Sequence, residues 1–375
     1  MITTEKRFEA DIESFFLSPA GGYTKGADTY DAKQGLYVNT LIDFVQRTQP
    51  KEWARFENAN QVDPVRKFCT AFNTACETEG LLSVLRHGFK HRGLRFRVCY
   101  FKPESALNQA AAAQWAANTI ECYRQWYFSA DTKKSVDMVL VLNGIPVFAF
   151  ELKNQYTGQT VDDAKRQWMY DRDPRELCFQ FNKRILAYFC VDHTEVWMTT
   201  KLAGKNTYFL PFNQGSNGAG NDGGKGNPAN PNGYPTAYLW ENVFQKDSMM
   251  DIVQKFMNLK DGKTLIFPRY HQLDVVRKLL AEGLPKARIL GYVGEKDQDP
   301  DAGECFGPPF MALEAAKKHG ATMIVLLPDA PIDDDIAHDL LEAKLHGAMV
   351  VDYSLQYGGD VDAAVSEMKA WVNVL

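Results

Sequence analysis

Residues 135–154 read SVDMVLVLNGIPVFAFELKN and contain three ionisable side chains among apolar, β-branched-rich runs. Asp137 lies near the start of the first run, and Glu151 and Lys153 close the second as Glu-Leu-Lys. Ionised side chains are rarely buried without a partner or a metal, so this arrangement indicates chemistry. Two carboxylates on one face can hold Mg²⁺, which polarises a phosphate and lowers the pKa of a bound water. A nearby lysine stabilises developing charge or orients that water, so we expect metal-dependent phosphodiester hydrolysis.

The Asn-Gly pair at 143–144 divides the two runs and is a strong signal for a β-hairpin. Glu151 and Lys153 are two residues apart on one strand, so they point to the same face. A two-residue loop alone places Asp137 opposite Phe150, one residue out of phase. A three-residue loop, or one bulge, brings Asp137 and Glu151 to the same face, as the proposed chemistry requires.

The spacing D-x13-E-x-K on a hairpin resembles the PD-(D/E)xK nuclease motif. The longer stretch 135–176, which continues to VDDAKRQWMYDRDPRE, resembles the amino-terminal nuclease domain of the restriction (R) subunit of type I restriction-modification enzymes. The stretches 198–213, 230–248 and 265–280 resemble the same subunit, and the last resembles the segment that leads into its motor domain. The resemblance covers residues 1 to roughly 280. It implies an α/β fold with a PD-(D/E)xK core, in which helices flank a mixed sheet.

This resemblance implies roles for individual residues. Asp137 and Glu151 are the expected Mg²⁺ ligands, and Lys153 stabilises charge or orients the water. An acid on the first helix often completes the metal site in this superfamily, and Glu9 is the candidate here. Glu9 lies between apolar positions of its helix, so it either points inward to the site or is an exposed helix glutamate.

The helix after the hairpin supplies one further candidate. Thr160-x-x-Asp163 resembles a capping box that begins this helix. The family commonly has a glutamine and a tyrosine four residues apart in it. Here Asp171 follows Gln167 at that spacing, so only Gln167 is assigned as a residue that supports the site.

Charge along the chain predicts where DNA binds. Residues 288–375 hold 16 acidic and 6 basic residues, whereas residues 1–287 hold 31 acidic and 36 basic residues. A modestly basic body suits a phosphate-binding protein. Its densest basic patch is RHGFKHRGLRFR (86–97), which spans a helix end, a glycine turn and a strand. The residues expected to contact the DNA backbone are Arg86, Lys90, Arg92, Arg95 and Arg97.

The sequence predicts three parts. Residues 1–259 form the nuclease domain, which contains a single helix at 62–88 and a long Gly/Asn-rich loop at 213–235. Residues 260–287 form a connector. Residues 288–375 alternate three apolar strands with three amphipathic helices, as expected of a small parallel βαβαβα unit of unknown role.

Other features bear on cofactors and location. No G-x-x-x-x-G-K-[ST] motif occurs, so we expect no nucleotide-binding residues and no binding of ATP to this chain. Seven cysteines without a C-x-x-C pair indicate reduced thiols. No run of about 18 apolar residues occurs, so we expect no membrane association and a cytoplasmic location.

Together these observations predict a Mg²⁺-dependent DNA endonuclease module without its own ATP motor. The expected partners are DNA and, by resemblance, separate methylation and specificity subunits. Two alternatives stay open. The chain is a stand-alone defence nuclease regulated by residues 288–375, or it is a catalytically inert remnant that binds DNA.

Overall fold

The computed structural model describes residues 5–281, except 104–107, 156–157 and 222, together with residues 289–292, 323–326 and 349–352. The chain divides into two compact units. The first comprises Met1–Asn213 and Ala229–Pro268, and the second comprises Gln214–Pro228 and Arg269–Leu375. No helix among the described residues is both long and apolar enough to cross a membrane.

The described residues form helices and strands whose bounds follow in chain order. The α-helices are α1 (Glu5–Phe16), α2 (Val38–Thr48), α3 (Pro50–Ala59), α4 (Pro64–Thr78), α5 (Leu81–His87), α6 (Gln109–Ala116), α7 (Val161–Tyr170), α8 (Lys246–Asp251) and α9 (Tyr270–Ala281). A 3-10 turn and two π-helical segments are at Leu177–Phe179, Leu239–Val243 and Ile252–Phe256. The strands are β1 (Thr24–Lys25), β2 (Tyr30–Asp31), β3 (Leu36–Tyr37), β4 (Phe89–His91), β5 (Leu94–Phe96), β6 (Ile120–Tyr127), β7 (Ser135–Leu142), β8 (Ile145–Leu152), β9 (Ala187–Val191), β10 (Val196–Thr199), β11 (Leu210–Pro211), β12 (Asn258–Lys260), β13 (Thr264–Ile266), β14 (Ile289–Tyr292), β15 (Met323–Leu326) and β16 (Met349–Asp352).

A seven-stranded mixed sheet in the order β1-β6-β7-β8-β9-β10-β11 forms the centre of the first unit. The pairs β6–β7 and β7–β8 are antiparallel, whereas β1–β6 and β8–β9 are parallel. Helices flank this sheet, as the sequence predicts.

The central strands β7 and β8 are buried along almost their whole length because helices cover both faces of the sheet. On one face, Ile12 of α1 lines a small cavity with Met138 and Phe150. On the other face, Trp168 of α7 belongs to the same apolar cluster as Val139. Side chains therefore alternate between an α1 face and an α7 face of the sheet.

Helix α7 begins at the predicted capping box, which the structure confirms. The Thr160 hydroxyl accepts a hydrogen bond from the backbone N–H of Asp162, and Asp163 accepts one from the backbone N–H of Thr160 at 2.9 Å. At the other end of α7, the Trp168 indole N–H donates to the carbonyl of Phe189 at 3.2 Å. The capping bonds thus fix the start of α7, and the indole bond ties the helix to β9.

The predicted single helix at 62–88 is wrong, because the chain forms two helices there. Gly80 lies between α4 and α5 with a φ of 78°, a conformation that glycine adopts readily. A Cβ at this position would lie 2.1 Å from the amide nitrogen of Asn182, so the close approach also requires glycine.

The structure describes most of the predicted Gly/Asn-rich loop and the three strands of the predicted βαβαβα unit. The described residues of the predicted loop at 213–235 contain neither helix nor strand. β14, β15 and β16 pair in parallel in chain order. The helices predicted between these strands lie outside the described residues.

The turn between β7 and β8 is held by a buried asparagine. Asn143 and Gly144 both have positive φ, at 49° and 80°, as a two-residue hairpin turn requires. The Asn143 amide nitrogen donates to the carbonyl of Val98 at 2.8 Å, and its oxygen accepts from the backbone N–H of Thr119 at 2.7 Å. The side chain thus ties the turn to two neighbouring segments.

We expect Asn143→Ala to lower the free energy of unfolding by about 2–4 kcal/mol, because it leaves buried backbone groups unpaired and because alanine tolerates a left-handed conformation less well than asparagine does. Urea denaturation measures this change. Asn58→Ala, at an exposed helical position, is the control and should change stability by less than about 0.5 kcal/mol. Equal effects of the two substitutions would contradict this role for Asn143.

A second buried polar group makes stability depend on pH. Glu121 of β6 is buried, and its Oε2 has no hydrogen-bond partner among the described residues. Burial, together with the negative charge of Asp28, raises the pKa of Glu121 from 4.5 to about 7. A carboxyl group with a raised pKa in the folded state stabilises the fold below its unfolded pKa. That contribution is lost as the pH rises through about 7.

Glu121→Gln should therefore increase the free energy of unfolding at pH 8 by up to about 3 kcal/mol, at 1.4 kcal/mol per pKa unit. The difference should nearly vanish below about pH 4, where the glutamate becomes protonated in both states. Thermal or urea unfolding of both proteins across this range measures it. A difference that does not change with pH would rule out this assignment.

Candidate active site

One extra residue brings the two predicted carboxylates into phase. The pairing Leu142–Ile145 and Val141–Pro146 changes beyond the turn to Leu140–Phe148, so Val147 has no partner and forms a bulge in β8. Met138 then pairs with Phe150, and the same register places Asp137 opposite Glu151. Of the two predicted ways to bring the carboxylates into phase, the structure contains the bulge, and both carboxylates are on the α7 face.

Asp137 and Lys153 form a close pair at the end of the hairpin. The Asp137 Oδ2 accepts a hydrogen bond from the backbone N–H of Leu152 at 2.8 Å. The Lys153 Nζ lies 3.6 Å from the same oxygen and 3.2 Å from the carbonyl oxygen of Leu152. Only 9 % of the Asp137 surface is exposed, and Lys153 is also buried. The ammonium group therefore balances the Asp137 charge in a nearly dry site.

Glu151 is completely buried, with 0 % of its surface exposed. Its Oε1 accepts two hydrogen bonds from Arg172, from Nε at 3.0 Å and from Nη2 at 2.6 Å. Its Oε2 is buried and has no partner among the described residues. Burial raises the pKa of Glu151 well above its ordinary value, and the charge of Asp137 raises it further, whereas Arg172 and Lys153 lower it.

Arg172 was not identified from the sequence. It follows α7 by two residues and is buried, with its guanidinium 5.4 Å from the ring centre of Phe128. The only sequence signal is an arginine shortly after the capping-box helix. Nothing local indicates that it pairs with Glu151, which is 21 residues earlier.

Glu9 is buried but does not join the carboxylate pair directly. Its Oε2 accepts hydrogen bonds from Arg124 Nη2 at 2.9 Å and from the Gln125 amide at 3.3 Å. Burial raises the pKa of Glu9, the hydrogen bond from Arg124 lowers it, and the charge of Asp137 raises it. The charge of Asp137 thus affects the pKa of Glu9, and Arg124 balances the charge of the Glu9 carboxylate.

Gln125 connects Glu9 to the strand that contains Asp137. The β6–β7 register places Gln125 opposite Asp137, and Gln125 has a left-handed φ of 50°. Its side chain also accepts a hydrogen bond from the Ser135 hydroxyl at 3.0 Å. A strained non-glycine residue beside Asp137 is the kind of irregularity that concentrates at functional sites.

Gln167 is on α7, the helix that covers the carboxylate face. Its side-chain oxygen is buried and has no hydrogen-bond partner among the described residues. The neighbouring Trp168 is completely buried against the sheet. An unsatisfied amide oxygen at this helix fits a group that binds a ligand or a water molecule.

The donor set of the site fits a hard divalent cation in part. The described residues contain no group of three or more His, Cys, Asp or Glu side chains arranged to hold a metal ion. Asp137 and Glu151 nevertheless supply two carboxylates at adjacent positions, and the buried Oε2 of Glu151 is unsatisfied. Oxygen donors of this kind suit Mg²⁺, which usually retains several waters and takes one or two carboxylates from the protein.

The predicted basic patch is centred on the β4–β5 hairpin. Lys90 and Arg95 are directly opposite one another across the two strands, and both are exposed. The turn residue Arg92 is exposed and has a left-handed φ of 46°, followed by Gly93 at 80°. Like charges opposite each other and an arginine in a left-handed conformation both oppose folding of the hairpin.

The two remaining basic residues of the patch make internal contacts. Arg86 donates to the carbonyls of Val253 and Met257, at the end of a π-helical segment. Arg97 donates to the carbonyl of Arg86 at 2.6 Å and is half-buried. Arg95 and Arg97 still line one cleft of about 520 Å³.

Comparison with known proteins identifies a family for part of the chain. Residues 41–207 match the family described as type I restriction enzyme R protein N terminus. The comparison with curated proteins returned no match. The matched segment includes the β7–β8 hairpin, α7 and the β4–β5 hairpin, whereas Glu9 lies outside it. The resemblance recognised in the sequence is therefore confirmed for residues 41–207, the part of this chain that matches the amino-terminal family of type I restriction R proteins.

Proposed function

We propose that this chain is a Mg²⁺-dependent DNA endonuclease module of the type I restriction R subunit kind. The observation that carries the proposal is the bulged hairpin, which places Asp137, Glu151 and Lys153 on one buried face. The family match of residues 41–207 supports a nuclease role for the same segment.

Asp137 and Glu151 would hold the cation. When bound, Mg²⁺ would polarise the scissile phosphate and lower the pKa of a water. Lys153 stabilises the negative charge that develops around phosphorus, because its ammonium group is fixed beside Asp137 in a site with little water. Gln167 and Glu9 support the site, Gln167 with its unsatisfied oxygen and Glu9 through the electrostatic interaction of its carboxyl group with Asp137.

The β4–β5 hairpin would contact the DNA backbone. Lys90, Arg92 and Arg95 of this hairpin are exposed, and folding of the hairpin does not require their positive charges. Contacts to phosphates position DNA and do not read its sequence. Sequence recognition and methylation would therefore belong to separate subunits, as the family implies.

We further propose that this chain does not hydrolyse ATP. Its sequence has no Gly-rich loop with a following Lys and Ser or Thr to cradle a triphosphate. DNA cleavage would then depend on Mg²⁺ and not on added ATP, unless a translocase partner is present.

Asp137→Asn, Glu151→Gln and Lys153→Gln should each reduce cleavage of supercoiled plasmid by roughly 100-fold or more, because each removes charge at the reacting phosphate. Glu151→Gln is preferred to alanine, since alanine would leave a cavity beside the buried Arg172. Gel analysis of nicked plasmid, with Mg²⁺ or EDTA and with or without ATP, measures the rates.

Asp173→Asn is the matched control for these variants. Asp173 is exposed and pairs with Arg175 outside the site, so the variant should cleave at the wild-type rate. Wild-type cleavage by Asp137→Asn would overturn the site. Absence of cleavage by the wild-type chain under every condition would favour the inert DNA-binding remnant.

Replacing Lys90 and Arg95 together by Gln should weaken binding to every DNA sequence equally. It should also reduce the slope of log affinity against log salt by about 2, because two phosphate contacts no longer release counterions. Fluorescence anisotropy with two unrelated duplexes measures both effects. Lys33→Gln with Lys205→Gln removes two exposed charges elsewhere and should leave the slope nearly unchanged. Equal slopes for both double variants would exclude the hairpin as the contact.

A further inference from the structure

Arg172 makes contacts with both strands of the carboxylate pair. Its Nη2 donates to Glu151 Oε1 on β8 at 2.6 Å and to the carbonyl of Ser135 on β7 at 2.7 Å. Ser135 precedes Asp137 by two residues on β7. One amino group therefore bridges the two strands beside the carboxylates.

The contacts of Arg172 with Glu151 are asymmetric. Both hydrogen bonds end on Oε1, whereas Oε2 is buried without a partner among the described residues. A second ion pair, between Lys134 and Asp171, joins the segment before β7 to the residue preceding Arg172 at 3.3 Å. The rings of Phe128 and Trp168 lie near the guanidinium and restrict its position.

We propose that Arg172 is a positioning residue that holds Glu151 by Oε1 and β7 by Ser135, and so leaves Oε2 as the oxygen offered to a divalent cation. This inference rests on the proposed nuclease function and adds a residue to its site. A counter-ion that only stabilised the fold would not need to spare one carboxylate oxygen or to bridge to the strand of Asp137.

The first test is a comparison of melting temperatures at one pH without divalent cations. Arg172→Gln should lower the melting temperature by about 10 °C, because it leaves the buried Glu151 carboxylate without its partner. In a Glu151→Gln background the same substitution should have less than half of that effect, since a neutral amide needs no counter-charge. A role in packing alone predicts equal losses in both backgrounds, and that result would overturn the proposal.

The second test is a cleavage titration with Mg²⁺ and DNA. Arg172→Gln should lower kcat about 10- to 100-fold and raise the Mg²⁺ concentration for half-maximal rate. The DNA concentration for half-maximal rate should stay the same, because the guanidinium of Arg172 donates its hydrogen bonds to Glu151, Asp171 and Ser135. Arg172→Lys should recover part of the rate through its charge. A wild-type rate and an unchanged Mg²⁺ requirement in Arg172→Gln would overturn the proposal.

Arg175→Gln is the matched control. Arg175 is three residues further along, its side chain is 90 % exposed, and it pairs with Asp173 at the surface. This variant should keep wild-type melting and cleavage. If the wild-type chain cleaves no DNA, the nuclease function fails, whereas the melting comparison still decides whether Arg172 holds Glu151.

Discussion

The site depends on the phase of one buried hairpin. Helices cover both faces of β7 and β8, so each side chain on these strands is committed to either the α1 face or the α7 face. Without the bulge at Val147, the register from the turn would pair Asp137 with Phe150. Glu151 would then point to the opposite face of the sheet from Asp137. The buried Asn143 fixes the turn from which the register is counted. A single extra residue therefore decides whether two carboxylates can share one ligand.

Once the carboxylates share a face, their charges need partners. Lys153 lies beside Asp137, and Arg172 donates hydrogen bonds to Glu151. Each carboxylate is therefore balanced by a positively charged side chain. Buried ion pairs contribute little net stability, and apolar side chains of similar volume would often stabilise a sheet as well or better. Stability alone therefore does not account for these four residues in a dry layer. The Oε2 of Glu151 supports the same conclusion, because a buried acceptor without a partner among the described residues costs free energy.

Much of this arrangement could be predicted from the sequence, and the remainder has a physical reason for escaping prediction. The hairpin, the turn at Asn143 and the capping box at Thr160 are local patterns, and each is present in the structure. The sequence indicated that a bulge or a longer loop was needed, but it could not choose between them, because the choice depends on how β8 packs between its neighbours. Arg172 and the internal contacts of Arg86 are long-range pairings, for which the sequence has no local signal. The broken helix at Gly80 depends similarly on Asn182, about a hundred residues away.

The charges of the carboxylate site are buried, whereas the charges of the basic hairpin are surrounded by water. Charges at Asp137, Glu151, Lys153 and Arg172 act over short distances in a nearly dry layer, where they are strong and must be balanced. The charges of the β4–β5 hairpin are exposed, so salt screens them and each contributes little. Such charges can attract a polyanion without a fixed geometry, and the strained Arg92 at the hairpin tip needs no partner for that purpose. In the proposed function, affinity for DNA and chemistry on DNA would thus belong to separate elements, because one needs water around its charges and the other needs water removed.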